Sequence, residues 1–232
     1  MLDKPDLTSG LAAGGAPRMW ERIVRDSLPA VRRSVPPGSL VLEIGYGDGL
    51  LSCWLVSTLG WRLVGLDVAP VAGETARRNA ARFGLAERTD FRVCRSADTR
   101  RHAGLYDAVF VKTVLYSSGS LADYQEWLEW IGSVVRPGGI LVNYESGRAN
   151  AFVQAYRRLR RREYVGLCLY DREVERLYDT QFSILYRRHY GGLSQFLSPL
   201  PYAYEIAAAA EERLTTRSAN NCFAVSQIVQ TR

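Results

Sequence analysis

The sequence predicts an α/β protein built on a mostly parallel sheet. Three observations carry that expectation. Short apolar runs of buried-strand type alternate with longer amphipathic stretches, which is the pattern of βαβ units. A glycine turn, Gly45-Tyr46-Gly47-Asp48-Gly49, joins the first such strand to the helix that follows. The 232 residues are 47% hydrophobic, enough for one sizeable core.

The elements follow in order. Residues 1–16 are rich in Gly, Ala and Pro and read as a flexible arm. A helix is expected from about Pro17 to Val31, with Met19, Ile23, Val24 and Leu28 on one face. Pro36-Pro37-Gly38 ends it and leads into SLVLEIG, the first strand. GLLSCWLVSTLG reads as a helix and WRLVGLDV as the second strand. APVAGETARRNAARFG is a helix closed by Gly84, and TDFRVCR is the third strand. LYDAVFVKTV is the fourth strand, and LADYQEWLEWIGSVV is an amphipathic helix with Leu121, Tyr124, Leu128, Ile131 and Val135 on one side. RPGG then launches the fifth strand, ILVNYES.

The alternation stops after Ser146. Residues 148–199 are rich in Tyr, Arg and Phe and show no βα repeat. Beyond them YEIAAAAEERL reads as a helix, and RLTTRS and CFAVSQIVQ as two strands joined by a turn at Ala219-Asn220-Asn221.

In an open α/β sheet, ligands lie beyond the carboxyl ends of the strands, where the glycine turn falls. Glycines let backbone N–H groups approach a ligand, and the helix start adds a positive dipole end. A nucleotide P-loop needs a Gly-Lys pair, which this chain lacks. A dinucleotide turn wants its third glycine where Leu50 stands. Asp67, at the end of the second strand, is placed to accept from ribose hydroxyls. Glu43 discriminates further, because an acid two residues before the first glycine repels a pyrophosphate and suits a cationic amine.

VLEIG-x-G-x-G, the acid Asp67 and Arg136-Pro137-Gly138-Gly139, in that order, resemble the class I S-adenosylmethionine-dependent methyltransferases of small-molecule type. The resemblance covers about Val35 to Glu145 and the terminal strand pair. It implies a Rossmann-like, seven-stranded, mostly parallel sheet with helices on both faces and a terminal antiparallel hairpin. It also implies a domain plan: arm and helix over 1–34, cofactor-binding core over 35–147, a helical, aromatic lid over 148–199, and a completing helix and hairpin over 200–232. The cofactor implied is S-adenosylmethionine, leaving as S-adenosylhomocysteine. Glu43 and the backbone of Gly45, Gly47 and Gly49 would hold the methionine end, Asp67 the ribose, Val68 the adenine face and Asp98 the adenine amino group. Lys112 and Thr113 would line the methionine end, and Tyr46 would shield the sulfonium.

A sulfonium is already an activated methyl donor, so the protein mainly aligns acceptor and methyl and excludes water. A base is needed only where the acceptor is protonated. Glu145, ending the fifth strand, Tyr116, just past the fourth, and His189 are the candidates for base or substrate anchor. VKTV replaces the tetrapeptide of adenine and glutamine N-methyltransferases, and no cysteine follows a proline as in cytosine C5 enzymes. K-T-V-L-Y-S resembles the small-molecule enzymes instead. The expected reaction is methyl transfer to O or N of a small organic molecule, in secondary metabolism. Aromatics at Phe152, Tyr156, Tyr164, Tyr170, Tyr178, Phe182, Tyr186 and Tyr190 would wall its pocket or form the lid's own core. Arg187 and Arg188 would favour an anionic substrate. The alternatives are an RNA or protein methyltransferase and a non-catalytic nucleotide-binding regulator.

Composition bounds the rest. Net charge is +6, and the pI is about 9.3. The densest basic run, Arg157-Arg158-Leu159-Arg160-Arg161-Arg162, belongs to no recognisable RNA-binding module, so nucleic acid is not expected as partner. The four cysteines are scattered, with no zinc-type spacing, so no metal is expected. Neither a long apolar run nor a signal core occurs, which points to the cytoplasm and away from a membrane.

Overall fold

The computed structural model describes residues 4–7, 17–94, 96–100, 104–147, 170–190, 201–214 and 224–232. Helix α1 (Pro17–Ser34) precedes β1 (Leu40–Ile44), α2 (Leu50–Leu59), β2 (Arg62–Asp67), α3 (Pro70–Arg82), β3 (Thr89–Val93), the one-turn α4 (Ser96–Thr99) and β4 (Tyr106–Lys112). A 3₁₀ turn (Leu115–Ser117) leads to α5 (Leu121–Val134), β5 (Val135–Ser146), α6 (Arg172–Gln181), β6 (Phe182–Tyr190), α7 (Pro201–Leu214) and β7 (Ala224–Thr231).

The seven strands form one sheet in the order β3-β2-β1-β4-β5-β7-β6. Strands β1 to β5 pair in parallel, and β7 runs antiparallel to both β5 and β6. The central strands are continuous apolar runs because both faces are covered. On one face Val41, Ala108, Phe110, Val142 and Ile228 pack against Met19, Ile23 and Val31 of α1 and Leu51, Leu55 and Leu59 of α2. On the other, Leu42, Val109, Val111, Leu141 and Val229 meet Tyr124, Leu128 and Ile131 of α5 and Val174 and Tyr178 of α6. Local chemistry agrees with the fold: Pro70 opens α3, the Ser120 hydroxyl caps α5 by accepting from Asp123 N–H at 3.1 Å, and Gly84 leaves α3 at φ 69°.

Arg136-Pro137-Gly138-Gly139 works at the sheet edge away from the glycine turn. Arg136 bonds Asp107 at 2.7 Å, whose other oxygen accepts from Leu40 N–H at 2.7 Å. One acid thereby ties the starts of β1, β4 and β5. A Cβ on Gly139 would stand 2.5 Å from Val135 Cγ1.

The terminal antiparallel strands are present, but one of them is drawn from elsewhere in the chain. The partner of β7 is Phe182–Tyr190, inside the segment expected to be lid, and not RLTTRS. Arg213 and Leu214 of that stretch belong to α7; the remainder, with the Ala219-Asn220-Asn221 turn, lies outside the described residues. The alternation in FSILYRRHY is obscured for two physical reasons. A register shift falls between Ile184 and Tyr186, and the residues facing α6 include Arg187 and His189, each matched by an acid. Tyr170, Tyr178 and Phe182 are core residues beneath α5 and α6, not pocket walls. Phe152, Tyr156 and Tyr164 lie outside the described residues, as does the 157–162 run.

Because β6 runs parallel to β5, its end joins the ends of β1, β2, β4 and β5 along one edge. Tyr190, Ala224 and Ser146 stand in register there.

Candidate functional site

The glycine turn crosses that edge between β1 and α2. Gly45, Gly47 and Gly49 all have positive φ, at 77°, 56° and 73°. Gly45 and Gly49 are also packed against the protein. A Cβ on Gly45 would lie 2.4 Å from Val114 Cγ2, and one on Gly49 2.7 Å from Ala76 Cβ. Gly47 is different, since a Cβ there would meet nothing within 4 Å. The turn is thus wedged at its two ends and open at its middle, as a ligand's close approach requires.

Glu43 lies on β1 beneath this turn and is 2% exposed. Burial raises its carboxyl to about 7, against the downward pull of the neighbouring Ser52 hydroxyl and the Lys112 ammonium. Its Oε2 is buried without a hydrogen-bond partner. A buried acceptor without a donor is costly, and a cationic amine supplies the missing donor. Lys112, at the end of β4, holds its ammonium 4.8 Å from the Trp20 ring centroid, over the ring face. Desolvation lowers its affinity for the proton, opposed by Glu43, Glu145 and Asp48. An acid and a cation therefore stand by the turn, which matches the zwitterionic end of an amino acid.

Asp67 ends β2 and faces the same turn. One carboxylate oxygen accepts from Gly47 N–H at 2.9 Å and the other from Ala69 N–H at 2.9 Å. Next to it stand apolar side chains with unusual exposure: Val68 at 57%, Val71 at 75% and Val93 at 40%. Isolated exposed valines are unremarkable, but Val93 pairs in register with Asp67, and Val68 and Val71 follow Asp67 within four residues, so apolar surface gathers at the end of β2. Asp98, on α4, is exposed after β3. Sequence reading gave Val68 and missed Val71 and Val93, whose only signal was their position beside strand ends.

Tyr46 departs from expectation. It is buried, its ring 4.8 Å from that of Phe91 and its hydroxyl donating to Arg92 carbonyl oxygen at 3.2 Å. It supports the turn from below and does not line the cleft. Gly65 leaves room for it, since a Cβ there would lie 2.7 Å from Tyr46 Cδ1. Thr113 takes φ 52°, a strained value for a β-branched residue, and donates its N–H to Tyr144 carbonyl oxygen at 2.7 Å. That kink turns the chain from β4 into the 3₁₀ turn that carries Tyr116.

Glu145 is fully buried on the α5–α6 face of β5. Its Oε1 accepts from Ser146 N–H at 3.0 Å. Burial raises the carboxyl to about 8, while the N–H groups of Ser146, Tyr116 and Leu115 pull it down. It ties the 3₁₀ turn to β5. Tyr116 is half-buried on that turn. His189 stands on β6 in register with Val225 of β7 and, through it, with Glu145. Its Nε2 is 2.7 Å from Glu175 Oε2, and its side chain is 13% exposed. Arg187 and Arg188, expected to attract an anionic substrate, are engaged: Arg187 with Asp179 at 2.8 Å, Arg188 with Asp26 at 3.2 Å. Lys112 is the cation whose charge acts on Glu43 beneath the glycine turn. These residues contain no group of three or more His, Cys, Asp or Glu fit to hold a metal ion, and no helix long and apolar enough to cross a membrane.

Residues 41–139 match the family described as methyltransferase domain. The ubiquinone biosynthesis O-methyltransferase of Methylocella silvestris is 34% identical over 118 residues, which are 50% of this chain and 44% of that protein. Catechol O-methyltransferase of Mycobacterium tuberculosis is 31% identical over 165 residues, 64% of this chain and 74% of that protein. Among solved structures, a SAM-dependent methyltransferase of Methanosarcina mazei gives a TM-score of 0.62 at 20% identity, over 88% of this chain and 97% of that one. N-methyltransferase NodS of Bradyrhizobium japonicum, solved with S-adenosyl-L-homocysteine, gives 0.58 at 18% identity, over 91% and 84%.

Proposed function

Since the chain belongs to the class I S-adenosylmethionine-dependent methyltransferases, we propose that it methylates a hydroxyl oxygen of a small organic molecule. The cofactor supplies a methyl group on a sulfonium, already activated for displacement. The chain's residues do the rest. Glu43 takes the cofactor's ammonium, Lys112 its carboxylate, Asp67 the ribose hydroxyls, and Val68, Val71 and Val93 the adenine face. Asp98 receives the adenine amino group. The β4–β5–β6 half of the edge is left for the acceptor.

The observation that carries the hydroxyl reading is the relatives' own names: ubiquinone biosynthesis, catechol and tocopherol O-methyltransferases. The chain spans only 44% of the first of these, so acceptor and pathway do not transfer with the fold. Nitrogen is the neighbouring possibility, supported by the N-methyltransferase fold relative. A protein acceptor is a second reading, supported by the ribosomal protein L11 methyltransferase of Photorhabdus laumondii, 27% identical over 121 residues and 38% of that protein. A cytoplasmic enzyme acting on a soluble metabolite is the setting we infer, and a non-catalytic regulator is the reading that absent turnover would leave.

The test is transfer of labelled methyl from S-adenosylmethionine to four sets: hydroxylated aromatics, small amines, ribosomal protein and RNA. Label in the first set is expected. Label confined to protein or RNA overturns the small-molecule reading, and cofactor binding with no transfer to any set overturns the enzymatic one.

A further inference from the structure

With the nucleotide groups assigned above to the β1–β2 half of the ligand edge, the ends of β4, β5 and β6 and the start of β7 are left for the acceptor. Two titratable residues occupy one level of that half, on one face: Glu145 of β5 and His189 of β6, joined in register through Val225. Two strand spacings separate them, or about 10 Å. They are not equivalent. Glu145 is wholly buried, and its carboxyl faces three backbone N–H groups. His189 keeps partial exposure and has one ring nitrogen, Nδ1, with no hydrogen-bond partner among the described residues.

The other ring nitrogen is held firmly. Glu175 Oε2 lies 2.7 Å from His189 Nε2 and accepts from Tyr170 hydroxyl at 3.1 Å. Arg187 Nη1 stands 3.8 Å from Glu175 Oε1 and 2.8 Å from Asp179 Oδ1. The His189 hydrogen bond comes first among the causes that hold the Glu175 carboxyl below the usual carboxylate range. The surroundings of the ring are thus Glu175 and Asp179 from α6, Arg187 on its own strand, Tyr170 ahead of α6 with its ring 6.1 Å away, and Glu145 across β7. A carboxylate that fixes Nε2–H leaves the lone pair on Nδ1, which is how a base is oriented for proton abstraction.

We propose that His189 is the general base for the acceptor hydroxyl and Glu175 its positioning residue. This rests on the methyl-transfer reading and adds to it the group that takes the proton. The acceptor's O–H bond breaks and its proton passes to His189 Nδ1. The freed oxygen pair forms the new O–CH₃ bond while the C–S bond breaks, its electrons going to sulfur and cancelling the sulfonium charge. The imidazolium formed is stabilised by Glu175 and returns its proton to water.

Two measurements test the assignment. Diethyl pyrocarbonate, followed by peptide mass mapping, reads whether His189 offers an open nitrogen in the folded, ligand-free protein. Modification of His189 is expected, whereas its resistance in the folded protein, with reaction only after denaturation, overturns the proposal. The second is the pH profile of kcat/KM for H189Q, with catechol as first probe and then the compound that the labelling screen identifies. A fall of about 100-fold and loss of the acid limb are expected, because general-base assistance is typically worth that much or more. E175Q should retain a reduced rate with its acid limb displaced. Calorimetry with S-adenosylhomocysteine should give H189Q the wild-type affinity. If H189Q keeps the wild-type rate and acid limb, the dyad merely ties α6 to β6. If S-adenosylhomocysteine fails to bind even the wild-type protein, the methyl-transfer reading itself has failed.

Discussion

Glu43 is a buried acid whose carboxyl is raised to about 7 by desolvation, against the downward pull of Ser52 and Lys112, and its Oε2 has no hydrogen-bond partner. With the cofactor's amine at Glu43, as proposed, cofactor binding is a proton-linked event. A cationic amine favours the ionised carboxylate, so binding lowers the Glu43 pKa and expels a proton from the fraction that was protonated. Near pH 7 about half a proton should leave per cofactor bound, and affinity should rise with pH up to about 8. Calorimetry in two buffers of different ionisation enthalpy reads this directly. E43Q should bind more weakly and release nothing; an equal proton release in E43Q would place the titrating group elsewhere. At this scale the sequence was informative where chemistry demands a residue type. That Glu43, the glycines and Asp67 come together at one turn was legible from their places at the strand ends; the roles proposed for them came with the resemblance. Tyr46 was not, because the side-chain direction of a turn residue depends on its neighbours, here the room that Gly65 leaves beside Phe91.

The elements that carry the site are held by short local signals. Helix α6 starts at Asp171, whose Oδ1 accepts from Glu173 N–H at 2.9 Å and Val174 N–H at 3.2 Å. D171A removes that cap and should cost about 1 kcal/mol. In a chain of this size the melting temperature should then drop by about 2–4 °C. An unchanged melting curve would mean that α6 is held by its packing and its pairs to β6 without help from the cap. Most elements up to Ser146 could be read in advance, because buried parallel strands and amphipathic helices have distinct apolar periods. Strand β6 could not. Its inward face carries Arg187 and His189, and their partners Glu175 and Asp179 lie on the preceding helix, so its polar pattern becomes intelligible only once α6 packs on it. RLTTRS misled for the opposite reason: alternation is weak evidence in a short run beside a helix end.

For the whole molecule, the two buried acids set how stability varies with pH. Glu43 and Glu145 shift from an ordinary 4.5 to about 7 and about 8 on folding. A raised folded-state pKa means that the folded protein holds the proton more tightly than the unfolded chain. Their contribution is therefore fully present below about pH 4.5 and is lost as pH rises through about 7 and then about 8. Melting temperature should fall over that window, and E145Q, which cannot ionise, should flatten the fall. A steeper fall in E145Q would contradict the burial account. The sheet order, two covered faces and a single ligand edge followed from the βα alternation together with the resemblance. The acceptor did not, because a sulfonium donor asks little of the acceptor side, and residues there answer to tertiary packing.

We propose that the buried acid beneath the three-glycine turn selects a cationic amino-acid head group over a diphosphate. Isothermal calorimetry with S-adenosylmethionine, run beside NAD and repeated on D67A, tests it most directly. One site for the sulfonium nucleotide, no heat from the dinucleotide, and a loss of about 10-fold or more in D67A, where charge-assisted hydrogen bonds disappear, are expected. Uptake of the dinucleotide without the sulfonium nucleotide, or an undiminished affinity in D67A, would contradict it.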